Sequence, residues 1–570
     1  MRQWMVAAKK ADFYVIAEKF HVDPVVARII RNREVIGEKN IRIYLGGNLS
    51  DLSDPHQMKD MDRLVEILAQ KIRKQVHIRI IGDYDVDGVT SSHLFLTALR
   101  RVGAKVDVVI PHRIQDGYGL SLHLLQQAKE DGVDTILTCD NGIAAIDEIA
   151  WAKAQKMTVL VTDHHAVPFE EHEGRRTEKK SLADAVVNPH QQDCGYPYKE
   201  LCGAGVAWNV IRVLYENYDM DKREAEDLLD FVAMATVCDV MSLTGENRIL
   251  VKEGLKRIRH TKNIGLQALM QACNVQPENI SAYHFGYVLG PCVNATGRLD
   301  TARHALRLFE TGQETEAEEI ARDLVDLNQE RKELTLQGVE MAKKLCEEGG
   351  YENDPVLVLF LPDVHESIAG LIAGRIREMY NRPVFVLTRG EEGVKGSGRS
   401  TENYSMYENM CGCAELFTKF GGHPMAAGLS LPEENVEKFR RKINENCPLT
   451  VEEVCPDIHI DMAMPVGYAS TELVHQFALL EPFGKDNPSP LFADRNLSIS
   501  RMWLIGKNRN VLRMSVLSEY GQPFPVIFFG DVETLFAYFT EKFGQEEVEN
   551  ALHGRKNRIL FSMVYTAKID

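Results

Sequence analysis

An α/β fold, built on a parallel doubly wound sheet and followed by a helical connector, a second smaller α/β domain and a carboxyl-terminal β-barrel, is what this 570-residue sequence predicts. Three observations carry the prediction. From Val76 short β-rich runs alternate with helical stretches, which gives βαβ units and hence a parallel sheet. From about 245 to 345 the chain is helical in pattern and highly charged. After Pro456 short strands separated by Gly, Asn and Pro turns take over.

Residues 1–70 carry an apolar helical face without recognisable chemistry, formed by Phe13, Ile16, Phe20, Val25, Val26, Ile29 and Ile30, and read as a helical lead-in. In residues 71–245 strands are expected at Val76 to Gly82, Lys105 to Ile110, Thr135 to Cys139, Thr158 to Thr162 and Ala185 to Asn188. Helices are expected between them at Ser91 to Arg101, Ser121 to Glu130 with Ser121 as cap, and Ala144 to Gln155. Functional groups in such a sheet collect at the carboxyl ends of the strands. Residues 246–345 form the connector, where Ala321, Leu324, Leu327 and Leu334 repeat at helical spacing. Residues 346–455 resume the alternation with a strand Pro355 to Phe360, a helix Ile368 to Met379 and a strand Pro383 to Thr388, closing near Gly428. Residues 456–570 read as all-β, with strands Leu497 to Leu504, Val511 to Leu517, Phe524 to Phe529 and Arg558 to Val564.

Hydrophobic residues make up 44% of the chain and charged residues 26%, which excludes a disordered or collagen-like chain. Apolar runs such as Val356 to Leu361 fall far short of the ~20 residues a membrane span needs. Lys9, Lys10 and Asp12 interrupt the amino terminus, so no secretory signal is expected there. Eleven cysteines without any CxxC, scattered singly except for Cys411-Gly412-Cys413, read as reduced thiols of a cytoplasmic protein. His423 would leave a zinc site at that pair short of a fourth ligand. The net charge of −17 argues against a surface coated for duplex DNA, but leaves room for a local groove or a metal site that holds a polyanion.

The sharpest signal is Gly82-Asp83-Tyr84-Asp85-Val86-Asp87-Gly88, three alternating aspartates where a buried strand meets a helix. They repel one another unless cations lie between them. A calcium loop would need a glutamate at its twelfth position, which here is Leu94. The construction recurs where one strand delivers Asp140-Asn141-Gly142 and the next Asp163-His164-His165. Taken singly, Asp140 reads equally as a helix cap before Ile143, and Asp163 as a cap beside two surface histidines. Three strand ends on one sheet edge, all presenting Asp or His, favour a shared site. Asp239 joins them as a candidate because it interrupts an apolar run from Phe231 to Cys238, and a buried lone carboxylate is costly unless paired or metal-bound. Carboxylates with one imidazole suit Mn²⁺ or Mg²⁺, and two such ions about 3.5–4 Å apart form the usual clamp for phosphoester hydrolysis.

On these motifs the chain resembles the DHH phosphoesterase superfamily, named for the sequence seen here as Asp163-His164-His165, and within it the single-strand-specific exonucleases. The likeness covers most of the chain from about residue 70. It implies a DHH catalytic domain over 71–245, a DHH-associated substrate-binding domain over 346–455 and an oligonucleotide-binding fold over 456–570. It further implies that Asp83 and Asp140 hold one ion, with Asp140 bridging to a second held by Asp85, His164 and Asp239. His165 would face the scissile phosphate, while Asp163 orients its neighbours. Ile81 and Gly82 stand where some relatives place a histidine.

Several loops offer contacts to a strand. The loop from Pro111 to Gly119 supplies Arg113 and Tyr118, and the resemblance makes Arg113 a phosphate contact and the tyrosine loop part of a terminal-nucleotide pocket. Gly396-Ser397-Gly398-Arg399-Ser400 and Gly421-Gly422-His423-Pro424 are small-residue loops that let backbone amides approach an anion, and Pro424 fits the first position of a helix aimed at phosphate. Ordinary turns are the alternative for both. The resemblance makes Ser397, Arg399, Gly421, Gly422, His423 and, in Asn294-Ala295-Thr296-Gly297-Arg298, Arg298 the substrate contacts; Cys292 stands where relatives often carry Arg. His365 is a weaker candidate, equally a capping residue. Arg501, Lys507, Arg509 and Arg513 beside Trp503 suit a single-stranded surface, with a solvated β face as the alternative. The sequence Leu480 to Pro488 matches the entry to the family's oligonucleotide-binding fold.

The reading is a two-metal, Mn²⁺- or Mg²⁺-dependent exonuclease releasing mononucleotides from single-stranded DNA in recombination and repair, with 5′→3′ polarity by resemblance alone. A single-strand-binding protein and a helicase are expected partners of a monomer without membrane attachment. A DHH phosphodiesterase for short oligoribonucleotides or cyclic dinucleotides, and a catalytically silent replication scaffold, are the alternatives.

Overall fold

The computed structural model describes residues 4–569 apart from 113–118, 173–174, 300, 391–392, 454–456, 507–508 and 519–520. Two compact units result, one formed by Gly47–Pro456 with Pro482–Asn487, the other by Met1–Gly46, Asp457–Glu481 and Pro488–Asp570.

The larger unit opens on a five-stranded parallel sheet whose order is Val106–Val109, Ile78–Ile81, Thr135–Cys139, Thr158–Thr162, Ala185–Val187. The direction of winding therefore reverses between Ile78–Ile81 and Thr135–Cys139, and the crevice outside their carboxyl ends is where such sheets place ligands. Alternate side chains go to opposite faces. Ile78, Ile80, Leu137 and Leu160 pack under helices Met61–Arg73, Val86–Arg101, Gly203–Asn217 and Leu229–Cys238. Ile81, Ile136, Val159 and Val161 pack under Leu122–Glu130 and Ile146–Ala154. Both faces are covered, which is why the strands are apolar without alternation. The helix that follows the first aspartate motif begins at Val86 rather than at Ser91. Asp85 caps it by accepting the Gly88 amide at 3.0 Å, and the hydroxyls of Thr90 and Ser92 turn back onto the Val86 and Gly88 carbonyls at 2.7 Å.

Helix Glu314–Glu348, 35 residues and so about 52 Å long, is a strut between two cores. Its first half buries Ala317, Ile320, Ala321 and Leu324 in the core of the first sheet; its second half buries Val339, Ala342 and Cys346 against helix Glu366–Tyr380. The second sheet runs Lys419–His423, Ala426–Leu431, Gly393–Arg399, Val384–Gly390, Leu357–Phe360, parallel only between the last two. Two expectations are corrected here. Gly396 to Arg399 lies in a strand instead of a loop, and Pro424 occupies the turn of a β-hairpin instead of the start of a helix. Glycine-rich sequence hides the strands because it lacks the β-branched side chains that mark them.

In the smaller unit Trp4–Val6 pairs in parallel with Ile458–Ile460, and Arg33 forms a buried bidentate pair with Asp461 at 2.6 and 3.0 Å. Its main sheet joins Met462–Ala463, Phe492–Ile505, Val511–Leu517 and Pro523–Phe528, with Leu560–Tyr565 on the long second strand. The all-β expectation is corrected by helices Val532–Phe543 and Gln545–Leu552, which bury Val532, Phe539, Val548 and Ala551 on that sheet. Phe536, Phe539 and Phe543 are β-prone in composition, but their spacing is helical and Asp531 caps the start. No helix among the described residues is long and apolar enough to cross a membrane, and every described cysteine is a free thiol.

Candidate metal centre

Asp83 follows the strand Ile78–Ile81, Asp140 the strand Thr135–Cys139 and Asp163 the strand Thr158–Thr162, so three neighbouring strands end in carboxylates at one edge. Small residues clear the space around them. A Cβ on Gly88 would stand 2.5 Å from the Asp83 backbone nitrogen and oxygen, and one on Gly203 2.6 Å from Asp140 Cβ. Asp140 takes a left-handed backbone, φ +62°, which Asp tolerates better than most residues, and it caps no helix. Helix Ile146–Ala154 has Ala145 at its cap position instead. Asp239 sits at the carboxyl end of Leu229–Cys238 and reaches the same point from the side.

The ligand atoms converge in three overlapping groups, each within 4.8 Å: Asp83, Asp85 and Asp140; Asp87, His164 and Asp239; Asp140, His164 and His165. Asp140 is common to two of them. His164 Nε2 lies 3.1 Å from Asp140, 3.6 Å from Asp239 and 3.7 Å from Asp87. The grouping thus sets Asp85 beside Asp83 and brings Asp87, which sequence reasoning left without a role, to the side of His164. Both Asp87 oxygens accept amides of the helix Gly203–Asn217, from Gly203 at 2.6 Å and Ala204 at 2.7 Å. Its signal was the Gly203-Ala204-Gly205 helix start, a ready anion site that the aspartate fills.

Asp163 is spent inside the protein. Its Oδ1 accepts the amides of His164 and His165 and the ring nitrogen of His165 at 2.8 Å, while Oδ2 accepts the Ile143 amide at 2.8 Å. Burial works to raise its pKa, but the His165 hydrogen bond and charge hold it below the ordinary value. Burial also works to lower His165, yet Asp163 outweighs it and raises that ring to about 9. His164 is pushed down by burial, which keeps its lone pair available to a cation.

The remaining carboxyls are under electrostatic pressure. Burial drives Asp83 well above the carboxylate range, with Asp85 adding to it. Burial followed by Asp87 and Asp85 does the same to Asp140 and Asp239, and burial with Asp87 raises Asp85. Oδ1 of Asp83 is buried without a hydrogen-bond partner. Oxygen donors in excess, one neutral imidazole and an orphaned carboxylate oxygen fit hard divalent cations such as Mn²⁺ or Mg²⁺.

Facing this edge, a cavity of about 420 Å³ is lined by Tyr84 from the first motif and by Ser367, Lys395, Lys419, Gly421 and Ser430. Register fixes which groups of the second sheet share a face. Ser397 and Gly421 both pair with Gly428, and Arg399 and His423 both pair with Ala426, so these four share one face of the second sheet and Gly422 the other. A Cβ on Gly370 would meet Ser397 Oγ at 2.7 Å and Arg399 Nη2 at 2.8 Å, and Arg298 donates to the Ser367 carbonyl at 2.6 Å. Arg298, Ser397 and Arg399 therefore gather about the start of helix Glu366–Tyr380, while Gly422 and His423 lie at the exposed hairpin tip. His365 caps that helix, its Nδ1 2.7 Å from Ser367 Oγ. Cys292 faces inward, 3.7 Å from the Cys273 sulfur. Arg113, Tyr118 and Lys507 lie outside the described residues. In the smaller unit Arg501 stacks 5.1 Å over Trp503, which pairs across the strands with Arg513.

Comparison with known proteins gives a consistent result. The chain matches the models for the DHH family, N-terminal domain over residues 77–236, the DHHA1 domain over 353–447 and the RecJ OB domain over 460–569. It is 33% identical to the single-stranded-DNA-specific exonuclease RecJ of Bacillus subtilis over 89% of this chain and 63% of that protein's length. Against the protein of the same name from Haemophilus influenzae it is 34% identical, covering 87% of this chain and 88% of the relative. The crystal structure of RecJ in complex with Mn²⁺ from Thermus thermophilus superposes with a TM-score of 0.76 at 27% identity, covering 91% of this chain and 74% of the other. A structure of exonuclease RecJ bound to manganese gives 0.58 at 32% identity, covering 68% and 94%.

Proposed function

The chain belongs to the RecJ family of DHH phosphoesterases, and from that membership we propose that it is a metal-dependent exonuclease of single-stranded DNA, working 5′→3′ and releasing mononucleotides in recombination and repair. The observation that carries the reading is the convergence of Asp83, Asp85, Asp140, His164 and Asp239 at the switch point of the sheet, with a buried Asp83 oxygen left unsatisfied.

Two divalent ions supply, when bound, polarisation of the phosphoryl group, activation of a water and stabilisation of the leaving oxygen. Asp83, Asp85 and Asp140 would hold one, and His164 and Asp239, with Asp140 beside His164, would hold the other. Asp87 ties the motif to helix Gly203–Asn217 and fixes the angle at which Asp85 enters. Asp163 locks the His165 ring through a hydrogen bond that raises its pKa, which suits the ring to a phosphate oxygen. Arg298, Ser397 and Arg399, gathered about the start of helix Glu366–Tyr380, meet phosphates, with Gly421, Gly422 and His423 on the neighbouring hairpin. Arg113 and Tyr118 take the terminal nucleotide. The match to the RecJ OB domain supports long strands over dinucleotides, since Arg501, Trp503 and Arg513 give that domain a basic aromatic surface suited to bases.

A cytoplasmic monomer is the setting we infer, the free cysteines among the described residues supporting its reducing compartment. A helicase that opens duplex and a protein that coats single strands are the partners such a substrate calls for. Digestion of matched 5′-labelled single- and double-stranded oligonucleotides with Mn²⁺ or Mg²⁺ tests the proposal: metal-dependent loss of the single strand alone is expected, and equal rates on both would remove it.

A further inference from the structure

An accessible stripe runs along the helical segment 282–298 from the metal centre outward and ends in two exposed tyrosines. The segment comprises Ala282–His284, a π-helical turn Phe285–Leu289 and the helix Gly290–Leu299. Its near end is fixed twice to the first aspartate motif. Asn294 Oδ1 accepts the Val86 amide at 3.1 Å, and a Cβ on Gly297 would stand 2.5 Å from the Tyr84 carbonyl oxygen. Its far half rests on the helix that ends at Asp239: a Cβ on Gly286 would lie 3.5 Å from Val237 Cγ1, and one on Gly290 2.3 Å from the Cys238 sulfur.

With the inner face committed in this way, Tyr283, Tyr287, Pro291 and Arg298 are left accessible at intervals of four, four and seven residues, a spacing that keeps them on one side of the helix. Tyr283 and Tyr287 are 62% and 71% exposed, with ring centroids 5.1 Å apart and ring planes 22° from parallel. Neither ring contributes to a core. At 1.5 Å per residue, Tyr287 stands roughly 16 Å and Tyr283 roughly 22 Å along the axis from Arg298. A strand running from Arg298 along this stripe carries bases at that distance, and parallel rings offer the face on which any base stacks.

We propose that Tyr283 and Tyr287 form a base-stacking step for single-stranded DNA a few nucleotides from the cleavage point, reading the presence of bases and not their identity. The inference rests on the nuclease reading, and supplies what the metals and phosphate contacts lack, a grip on the bases themselves.

The test measures fluorescence anisotropy of a labelled thymidine strand protected by phosphorothioate linkages, so that no hydrolysis is needed. The double substitution Tyr283→Ala/Tyr287→Ala raises Kd about tenfold, whereas Tyr283→Phe/Tyr287→Phe stays within about twofold. A strand made abasic only at the nucleotides a few positions from the cleavage point binds the parent about tenfold more weakly and the alanine variant as weakly as the intact strand does. An unchanged Kd for the alanine variant, as expected if a protein covers the pair, or an equal abasic penalty in both proteins, overturns the proposal. Failure of the nuclease reading shows separately, as absence of Mn²⁺-dependent hydrolysis by the parent.

Discussion

Asp140 is the side chain on which the two halves of the site depend, because it alone belongs to both the Asp83 and the His164 groups that include it. Its φ of +62° makes Asn the appropriate replacement, since Asn accepts the left-handed backbone that Ala resists. Asp140→Asn and Asp85→Ala are each expected to leave less than about a tenth of parental hydrolysis with circular dichroism unchanged, since each relieves crowded negative charge; a variant retaining more in a Mn²⁺ titration would contradict the assignment. At this scale the sequence was informative where chemistry is written in residue type. Asp83, Asp140, Asp163 and His164 were marked by position after predicted strands, and the structure brings them within one edge. Asp87 was not, because its role is defined by the amides of Gly203 and Ala204, more than a hundred residues away and invisible to local pattern.

Elements succeed or fail on their first turns. Helix Val86–Arg101 starts directly behind Asp85 only because Gly88 lets the Asp83 backbone come within reach of its first turn. Gly88→Ala is expected to lower stability by about 1–3 kcal/mol in urea titrations and to abolish hydrolysis together with it, since Cβ would displace the motif. Asp230, in the first turn of Leu229–Cys238, is raised by burial to about 6 although Thr261 and the Phe231 amide donate to it. A carboxyl whose folded pKa is raised adds nothing unfavourable at pH below 3.8, where both states are protonated. As pH rises from there to about 6 the unfolded chain ionises first, so folding loses about 2–3 kcal/mol, and the loss is complete above that pH. Asp230→Asn should flatten this segment of the stability curve; an unchanged pH slope in the variant would refute the assignment. The long apolar strands and the connector were legible from periodicity. The strands at Gly396 and Gly421 were hidden by glycine, and Val532–Phe543 was hidden by aromatic composition that outweighed its helical spacing.

At the scale of the molecule, the chain termini share a unit: Trp4–Val6 pairs with Ile458–Ile460, and Arg33 with Asp461, each side chain less than a tenth exposed. Arg33→Ala would strand the Asp461 charge, and a loss of roughly 3–5 kcal/mol from the transition of this unit is expected by calorimetry; a thermogram like the parent's would show that the pair is dispensable. Such long-range closure cannot be read from either end of the sequence alone. The larger unit carries the carboxylates, the cavity and the accessible stripe that lead to the proposed chemistry. Its central claim is that distant carboxylates hold a pair of ions. An anomalous difference map at the manganese edge, from crystals grown with Mn²⁺, tests that directly. Two peaks about 3.5–4 Å apart, flanked by Asp83 on one side and by His164 and Asp239 on the other with Asp140 between, are expected. A map without density among these side chains would contradict the account.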